Sequence, residues 1–193
     1  RRQRQMCIRD SSICGAEAIV RWNRKGTLIP PIKFVPPLER EGSICQLDYY
    51  VLEEVCKFLS RRIREGKEPL CISVNFSRKH LEGEKMVEQI VEMIDRYRID
   101  HQYIEIELTE SQDYQNYERI TGIVNELKNN GIGISMDDFG TGFSSLNMIK
   151  QVDLKVIKID KSFIPLETNY PGKEKDIIMF RNIVSPVSYT HLT

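Results

Sequence analysis

The sequence lacks several features that define whole classes of proteins. None of its apolar runs approaches the roughly 18 residues that are needed to cross a bilayer. Its five cysteines are scattered and show no C-x-x-C spacing, which argues against a disulfide framework and against a thiolate zinc site. We therefore expect a reducing, cytoplasmic environment. The basic segment RRQRQMCIRD is followed by no apolar segment, so it does not predict a secretory signal.

An excess of charge of one sign is also absent. The 28 basic and 28 acidic residues cancel, so neither a nucleic-acid polymer nor an anionic membrane is indicated as a partner. The three histidines, His80, His101 and His191, have polar neighbours in the sequence, and none is expected to be catalytic. A 40% hydrophobic and 29% charged composition is ordinary for a soluble globular protein.

The chain does contain an alternation of strand-like and helix-like segments. Strands are predicted at 14–22, 71–77, 103–109, 132–138 and 155–160. Apolar residues at helical spacing predict helices at 48–64, 84–98 and 113–129, and shorter helices are expected at 143–150 and 174–184. The proline-rich segment 28–40 is predicted to be an extended loop. Repeated strand-then-helix units indicate an α/β fold with a parallel sheet, foremost a barrel.

Each predicted strand has one apolar face and one polar face. In 103–109, for example, Ile104, Ile106 and Leu108 alternate with Glu105 and Glu107. An antiparallel sheet with one solvated face would give the same alternation. The helical connections favour the barrel instead, in which the apolar face packs on helices and the polar face points inward.

The polar residues near the strand ends would converge in such a barrel. They are Glu17, Asn75, Glu107, Asp137 and Lys158, one on each predicted strand. Carboxylates with one amide oxygen, and no histidine or cysteine, suit Mg²⁺ or Mn²⁺, with Ca²⁺ as a non-productive occupant. A single inward carboxylate is more often half of a buried salt bridge, and a lysine or arginine nearby could be its partner. Convergence from five strands favours the metal site.

Two adjacent acids end one strand, in the stretch MDDFGTG. Strict alternation would point Asp138 away from Asp137, but the glycine-bearing turn would let the backbone bend so that both serve metal ions. A pair of ions sharing Asp137 would activate a water and stabilise charge on a phosphoryl oxygen. Lys158 could position that water or neutralise the phosphate. Arg21, placed on the face of Glu17 by alternation, suits a bidentate phosphate contact.

Several motifs in a fixed order resemble one known family. They are EAIVRW (17–22), FVPPLEREG, SVNFS, IELTES, DDFGTGFSSL and IKIDKSFI. The chain resembles the EAL domain, a bacterial family of cyclic di-GMP phosphodiesterases, with Ile19 where the family has leucine. The resemblance covers roughly 13–184, and 1–12 and 185–193 are predicted to be a non-native leader and tail. The expected fold is a TIM-like (β/α)8 barrel of the EAL type, incomplete, with about strands 2 to 6 of 8 present.

The resemblance implies hydrolysis of cyclic di-GMP to linear pGpG, using two Mg²⁺ or Mn²⁺ ions and inhibited by Ca²⁺. It implies a catalytic set of Glu17, Asp137 and Lys158, with Lys158 on the attacking water. The implied metal ligands are Glu17, Asn75, Glu107, Asp137 and, for the second ion, Asp138. Arg21 would contact substrate phosphate, and Glu110 would brace the glycine-bearing loop. A homodimer is also implied, with an upstream sensor, membrane or GGDEF-type module.

A second class of function fits the same motifs. A degenerate EAL domain would bind the dinucleotide or a partner protein without cleavage, but the retained acids favour an enzyme. Family domains are longer, with one further strand before the first acid and two more at the end, which leads us to expect that the 193-residue polypeptide alone folds poorly and has little activity.

Overall fold

The computed structural model describes residues 2–6, 13–109, 117–139, 156–159, 174 and 177–178. The strands in this part of the chain are β1 (Arg2–Met6), β2 (Ile13–Ala18), β3 (Trp22–Arg24), β4 (Thr27–Ile29), β5 (Cys71–Phe76), β6 (Ile104–Thr109), β7 (Gly133–Phe139) and β8 (Val156–Ile159). Among the described residues, six of them form one sheet in the order β1-β2-β5-β6-β7-β8. Strand β1 is antiparallel to β2, and every later pairing is parallel. The predicted α/β fold with a parallel sheet is confirmed.

Helices connect the parallel strands on one side of the sheet. The α-helices among the described residues are α1 (Val35–Glu41), α2 (Ile44–Arg64), α3 (Met86–Arg96) and α4 (Tyr117–Asn129). Short 3-10 helices lie at Pro31–Lys33, Arg78–Glu82 and His101–Tyr103. Helices α2, α3 and α4 confirm the three predicted long helices. Glu174 and Ile177–Ile178 are helical, as predicted for 174–184, and the helix predicted at 143–150 lies outside the described residues.

The core lies between the apolar face of the sheet and these helices. Ile104 and Ile106 of β6 are fully buried in one cluster with Leu52 of α2, Ile90 of α3 and Leu127 of α4. Each such side chain contributes roughly 1.5–3 kcal/mol when it leaves water. The prediction that the apolar strand faces pack on the helices is confirmed.

The opposite face of the same strands carries buried polar groups. Glu107 and Ser135 are fully buried, and Ser73 and Glu105 are nearly so. Asn75, Glu107 and Ser135 stand side by side across β5, β6 and β7. Polar side chains enclosed on this face are what the inward-facing positions of a barrel predict.

The first predicted strand is shorter than expected. Strand β2 ends at Ala18, and Trp22 pairs instead with Ile29 in a separate β3–β4 hairpin. Its turn places Lys25 at φ 50° and Gly26 at φ 85°, and positive φ at both central residues is what two-residue hairpins favour. The prediction of a strand through residue 22 was therefore wrong, because the hairpin takes over the end of the segment.

The proline-rich segment is also not the extended loop that was predicted. It contains β4, a 3-10 helix and α1. Pro36 and Pro37 lie in the first turn of α1, where backbone N–H groups have no intrahelical partner and proline costs little. Helix α1 ends at Gly42, whose φ of 76° is the left-handed conformation of a common helix C-cap.

In the described part of the chain, no helix has both the length and the apolar character to span a membrane.

Candidate active site

Five neighbouring strands each bring one predicted site residue to the polar face of the sheet. Glu17 lies on β2, Asn75 on β5, Glu107 on β6, Asp137 on β7 and Lys158 on β8. Because these strands are parallel, their carboxyl ends meet at one edge of the sheet. The parallel pairing of the strands thus brings together residues that are far apart in the sequence.

Glu17 and Asn75 are joined directly across two adjacent strands. The Nδ2 group of Asn75 donates a hydrogen bond to Oε1 of Glu17 over 3.2 Å. Both side chains are partly buried. The contact fixes the relative position of one carboxylate and one amide at the edge of the sheet.

Glu107 and Lys158 form the second contact of the site. The Nζ atom of Lys158 lies 2.5 Å from both Oε1 and Oε2 of Glu107, and 3.8 Å from Oε2 of Glu17. The Glu107 side chain is 0% exposed and that of Lys158 is 22% exposed. Lys158 therefore links the two carboxylates, and Asn75, Glu17, Lys158 and Glu107 form one continuous cluster.

The electrostatics of this cluster keep Lys158 protonated. Burial alone would lower the pKa of Lys158, but its hydrogen bond to Glu107 and the charges of Glu107, Glu17 and Asp137 outweigh burial, and the pKa is raised. Burial raises the pKa of Glu107, Lys158 opposes this effect, and Glu17 and Asp137 add to it. The site thus has one ammonium among several crowded carboxyl groups.

The backbone is irregular where the two adjacent acids lie. Between Met136 and Phe139 of β7 there are three residue steps, which oppose the two steps from Ile157 to Ile159 of β8. One extra residue on one strand is a β-bulge, and bulges re-aim side chains next to functional sites. The bulge falls at Asp137–Asp138, where sequence reasoning required a bend. Asp137 is half-buried, while the side chain of Asp138 lies outside the described part of the structure.

Arg21 and Glu110 were also predicted as site residues. Arg21 does not lie on the strand of Glu17, because β2 ends at Ala18, so its placement by alternation was wrong. Its guanidinium donates to the carbonyl of Val20 over 2.8 Å, and Arg21 and Glu17 both line a cavity of about 480 Å³. Glu110 lies outside the described residues.

The side chains present fit a hard divalent cation by their chemistry. Among the described residues, no group of three or more acidic, histidine or cysteine side chains is close enough to hold a metal ion. The available donors are nevertheless carboxylate and amide oxygens, which Mg²⁺ and Mn²⁺ prefer. Oε2 of Glu107 is buried. Among the described residues its one polar contact is the ion pair with Lys158, which leaves it available as a metal ligand.

Sequence reasoning missed a buried pair beside Asn75. Asp48 of α2 and His80 are both buried, although His80 has polar neighbours in the sequence. Together with Asn75, Asp48 lines a cavity of about 290 Å³ at the ends of β2 and β5. A signal was present, because Asp48 occupies the buried stripe of α2 between Ile44 and Leu52.

Fold and site together define an α/β protein with a cluster of oxygen-bearing side chains at the edge of its parallel sheet. The chain belongs to the EAL domain family, since the family model for the EAL domain matches residues 3–193.

Known proteins are similar to the chain over most of its length. It is 33% identical to the signaling protein YkoW of Bacillus subtilis over 175 residues, which are 90% of the chain and 22% of YkoW. It is 29% identical to the cyclic di-GMP phosphodiesterase NbdA of Pseudomonas aeruginosa over 188 residues, which are 97% of the chain and 24% of NbdA. The chain thus spans less than a quarter of the length of these curated relatives.

A solved structure confirms the fold of the EAL type. The PaMucR phosphodiesterase in its c-di-GMP complex superposes with a TM-score of 0.85 at 29% identity, covering 97% of the chain and 75% of that structure. The predicted TIM-like barrel class is therefore confirmed. The limits predicted for the domain, 13–184, stay a prediction.

Proposed function

We propose that the chain is part of a metal-dependent phosphodiesterase that hydrolyses cyclic di-GMP to linear pGpG in bacterial second-messenger signalling. The observation that carries the proposal is the cluster of Glu17, Asn75, Glu107 and Lys158 at the edge of a parallel sheet. Membership of the EAL family supports it, as does the likeness to a phosphodiesterase solved in complex with c-di-GMP.

Metal binding is assigned to the oxygen-bearing members of the cluster. Glu17, Asn75, Glu107 and Asp137 would hold Mg²⁺ or Mn²⁺, and Asp138 would serve a second ion. When bound, such ions lower the pKa of a water so that it can lose a proton and act as a nucleophile near neutral pH, and they stabilise charge on a phosphoryl oxygen. Ca²⁺, which is larger and tolerates irregular geometry, is expected to bind without supporting turnover.

The other residues act on water and substrate. Lys158 lies between the carboxylates of Glu107 and Glu17, and its ammonium would serve as a hydrogen-bond donor that positions the attacking water. Arg21 would hold a substrate phosphate, and Glu110 would brace the glycine-bearing loop. Because pGpG carries a 5′-phosphate, the water oxygen bonds to phosphorus as the bond from phosphorus to O3′ breaks, and O3′ takes up a proton.

The direct test is turnover of cyclic di-GMP with Mg²⁺ or Mn²⁺ by the full-length protein, followed by chromatography of the nucleotides. Glu17→Ala is expected to abolish formation of pGpG. Glu84→Ala, which removes an exposed carboxylate of the same kind, is expected to leave turnover unchanged. Loss of activity in both variants, or in neither, would remove the assignment of Glu17.

A receptor without catalysis is the second candidate. The contact of Lys158 with Glu107 favours it, because a carboxylate that is paired with an ammonium needs no metal ion as its partner. In that case cyclic di-GMP binds to the unmodified protein and no pGpG forms with either metal.

Assembly and location belong to the same proposal. We expect a cytoplasmic homodimer, coupled to an upstream sensor or GGDEF-type module. The relative MucR of Pseudomonas aeruginosa, a bifunctional diguanylate cyclase/cyclic di-GMP phosphodiesterase, supports such a module. Light scattering of the full-length protein measures its oligomeric state.

A further inference from the structure

A buried carboxylate from α2 ties down the end of the strand that carries Asn75. Oδ2 of Asp48 accepts a hydrogen bond from the backbone N–H of Ser77 over 2.8 Å and lies 3.1 Å from Nε2 of His80. An ionised carboxylate accepts and does not donate, so Nε2 of His80 is the donor. One oxygen therefore holds both the start and the middle of the turn that leaves β5.

This pair lies in the interior and not on the surface. The side chains of Asp48 and His80 are 10% and 3% exposed. The rings of Phe76 and Tyr49 pack on the His80 ring, with centroids 4.7 Å and 4.9 Å away. A buried carboxylate without partners costs several kcal/mol, so the two hydrogen bonds and the ring contacts leave this turn little freedom to move.

The turn is connected to the candidate metal ligands through a short stretch of backbone. Ser77 is the first residue beyond β5, and one buried residue, Phe76, separates it from Asn75. Asn75 in turn donates to Glu17 across the strands. A displacement of the Ser77 amide therefore moves Asn75, and with it the distance between the Asn75 amide and the Glu17 carboxylate.

We propose that Asp48 and His80 are positioning residues that orient Asn75 toward Glu17 and thereby set the affinity of this site for a divalent cation. The proposal rests on the metal-dependent function above and deepens it. Neither residue needs to contact the ion or the substrate. Losing an outer contact that orients a metal ligand typically weakens metal binding about 10- to 100-fold.

The test measures Mn²⁺ binding to the full-length protein. Electron paramagnetic resonance monitors the binding at a temperature well below the melting temperature of each variant. Asp48→Ala is expected to weaken Mn²⁺ binding about 10-fold or more. Asp48→Asn keeps an oxygen that can accept from Ser77, and it is expected to recover part of the affinity. A further variant, His80→Leu, removes the donor and leaves Asp48 on Ser77, and it is expected to weaken binding as well.

Asp100→Ala is the matched control. Asp100, like Asp48, accepts a hydrogen bond from a backbone N–H at the start of a 3-10 helix, that of Gln102 over 3.2 Å, but it precedes β6 and so lies at the opposite edge of the sheet. Its loss is expected to leave Mn²⁺ affinity unchanged. An equal loss of affinity in this control would mean that the effect of Asp48 is not positional, and would overturn the proposal.

The outcomes separate this proposal from the one on which it rests. If Mn²⁺ binds and Glu17→Ala removes binding, but Asp48→Ala and His80→Leu bind as tightly as the unmodified protein, the positioning role alone is overturned. A protein that binds no Mn²⁺ overturns the metal-dependent function, and the positioning role with it. If Asp48→Ala does not fold, His80→Leu and Asp48→Asn carry the same decision.

Discussion

Lys158 contacts both carboxylate oxygens of Glu107 at 2.5 Å, across 51 residues of sequence. The contact is strongly asymmetric, because Glu107 is enclosed while part of the Lys158 side chain reaches solvent. Removing the ammonium leaves a buried carboxylate without its cation, whereas removing the carboxylate leaves a lysine that can turn toward water.

We expect Lys158→Met to lower the free energy of unfolding, measured by urea denaturation without divalent metal, by about 2 kcal/mol. This is less than for a fully enclosed pair, because solvent partly screens Lys158. Adding Glu107→Gln to Lys158→Met is expected to restore part of the loss, because the unpaired charge is then gone. Lys57→Met, which breaks exposed ion pairs with Glu53 and Glu54, serves as the control and is expected to leave the urea midpoint unchanged. Equal midpoints for Lys57→Met and Lys158→Met would contradict the prediction.

His101 is expected to make stability depend on pH. Its Nδ1 lies 2.6 Å from the carbonyl oxygen of Asn130 and its Nε2 lies 2.9 Å from Asp95. Both nitrogens donate only in the charged imidazolium form. Burial lowers the pKa of His101, but the bonds to Asp95 and Asn130 outweigh burial and the pKa is raised above 6.5.

The sign of this effect follows from linkage. A raised pKa in the folded state means that the contribution of His101 is fully present below 6.5 and is lost as the pH rises through the folded value. The melting temperature should therefore fall more between about pH 5.5 and about pH 8.5 for the unmodified protein than for His101→Gln. Asp95→Asn should shrink the same drop. An identical drop in all three proteins would refute the assignment.

Strand β6 supplies the sharpest test of the core. Ile106 is fully buried between the sheet and the helices, while Ile32 is 80% exposed. Ile106→Ala is expected to lower the free energy of unfolding by about 2–5 kcal/mol, through lost burial and a cavity. The same change at Ile32 is expected to stay within about 0.5 kcal/mol. Denaturant titration of both variants measures the difference, and comparable losses would contradict the described packing.

Gly42 and Gly122 allow the effect of backbone conformation on stability to be measured without a change in packing. A methyl group added at Gly42 or at Gly122 would meet nothing within 4 Å. Gly42 has a φ of 76° at the end of α1, whereas Gly122 lies within α4. Gly42→Ala is expected to cost about 1 kcal/mol because alanine strains in the left-handed region, and Gly122→Ala to add about 0.5–1 kcal/mol of stability. Melting temperatures that shift in the same direction would contradict this prediction.

The relation between sequence and site differs from residue to residue. Strand alternation and the helical connections between strands together predicted that Glu17, Asn75, Glu107, Asp137 and Lys158 converge, because alternation gives the polar face and parallel strands share one edge. Arg21 was misplaced by the same reasoning, since alternation stops where the strand stops. The chain after β2 instead enters the β3–β4 hairpin, whose turn has positive φ angles at Lys25 and Gly26.

The amino-acid sequence by itself determined the α/β class, the apolar and polar faces of the strands and the order in which the acids are presented. Each of these follows from spacing within a few residues. Only the tertiary structure decided that Lys158 pairs with Glu107, that Asp48 and His80 hold the turn after Asn75, and that β7 bulges at Asp137–Asp138. These features depend on distances between segments far apart in the chain, and no local period encodes such distances.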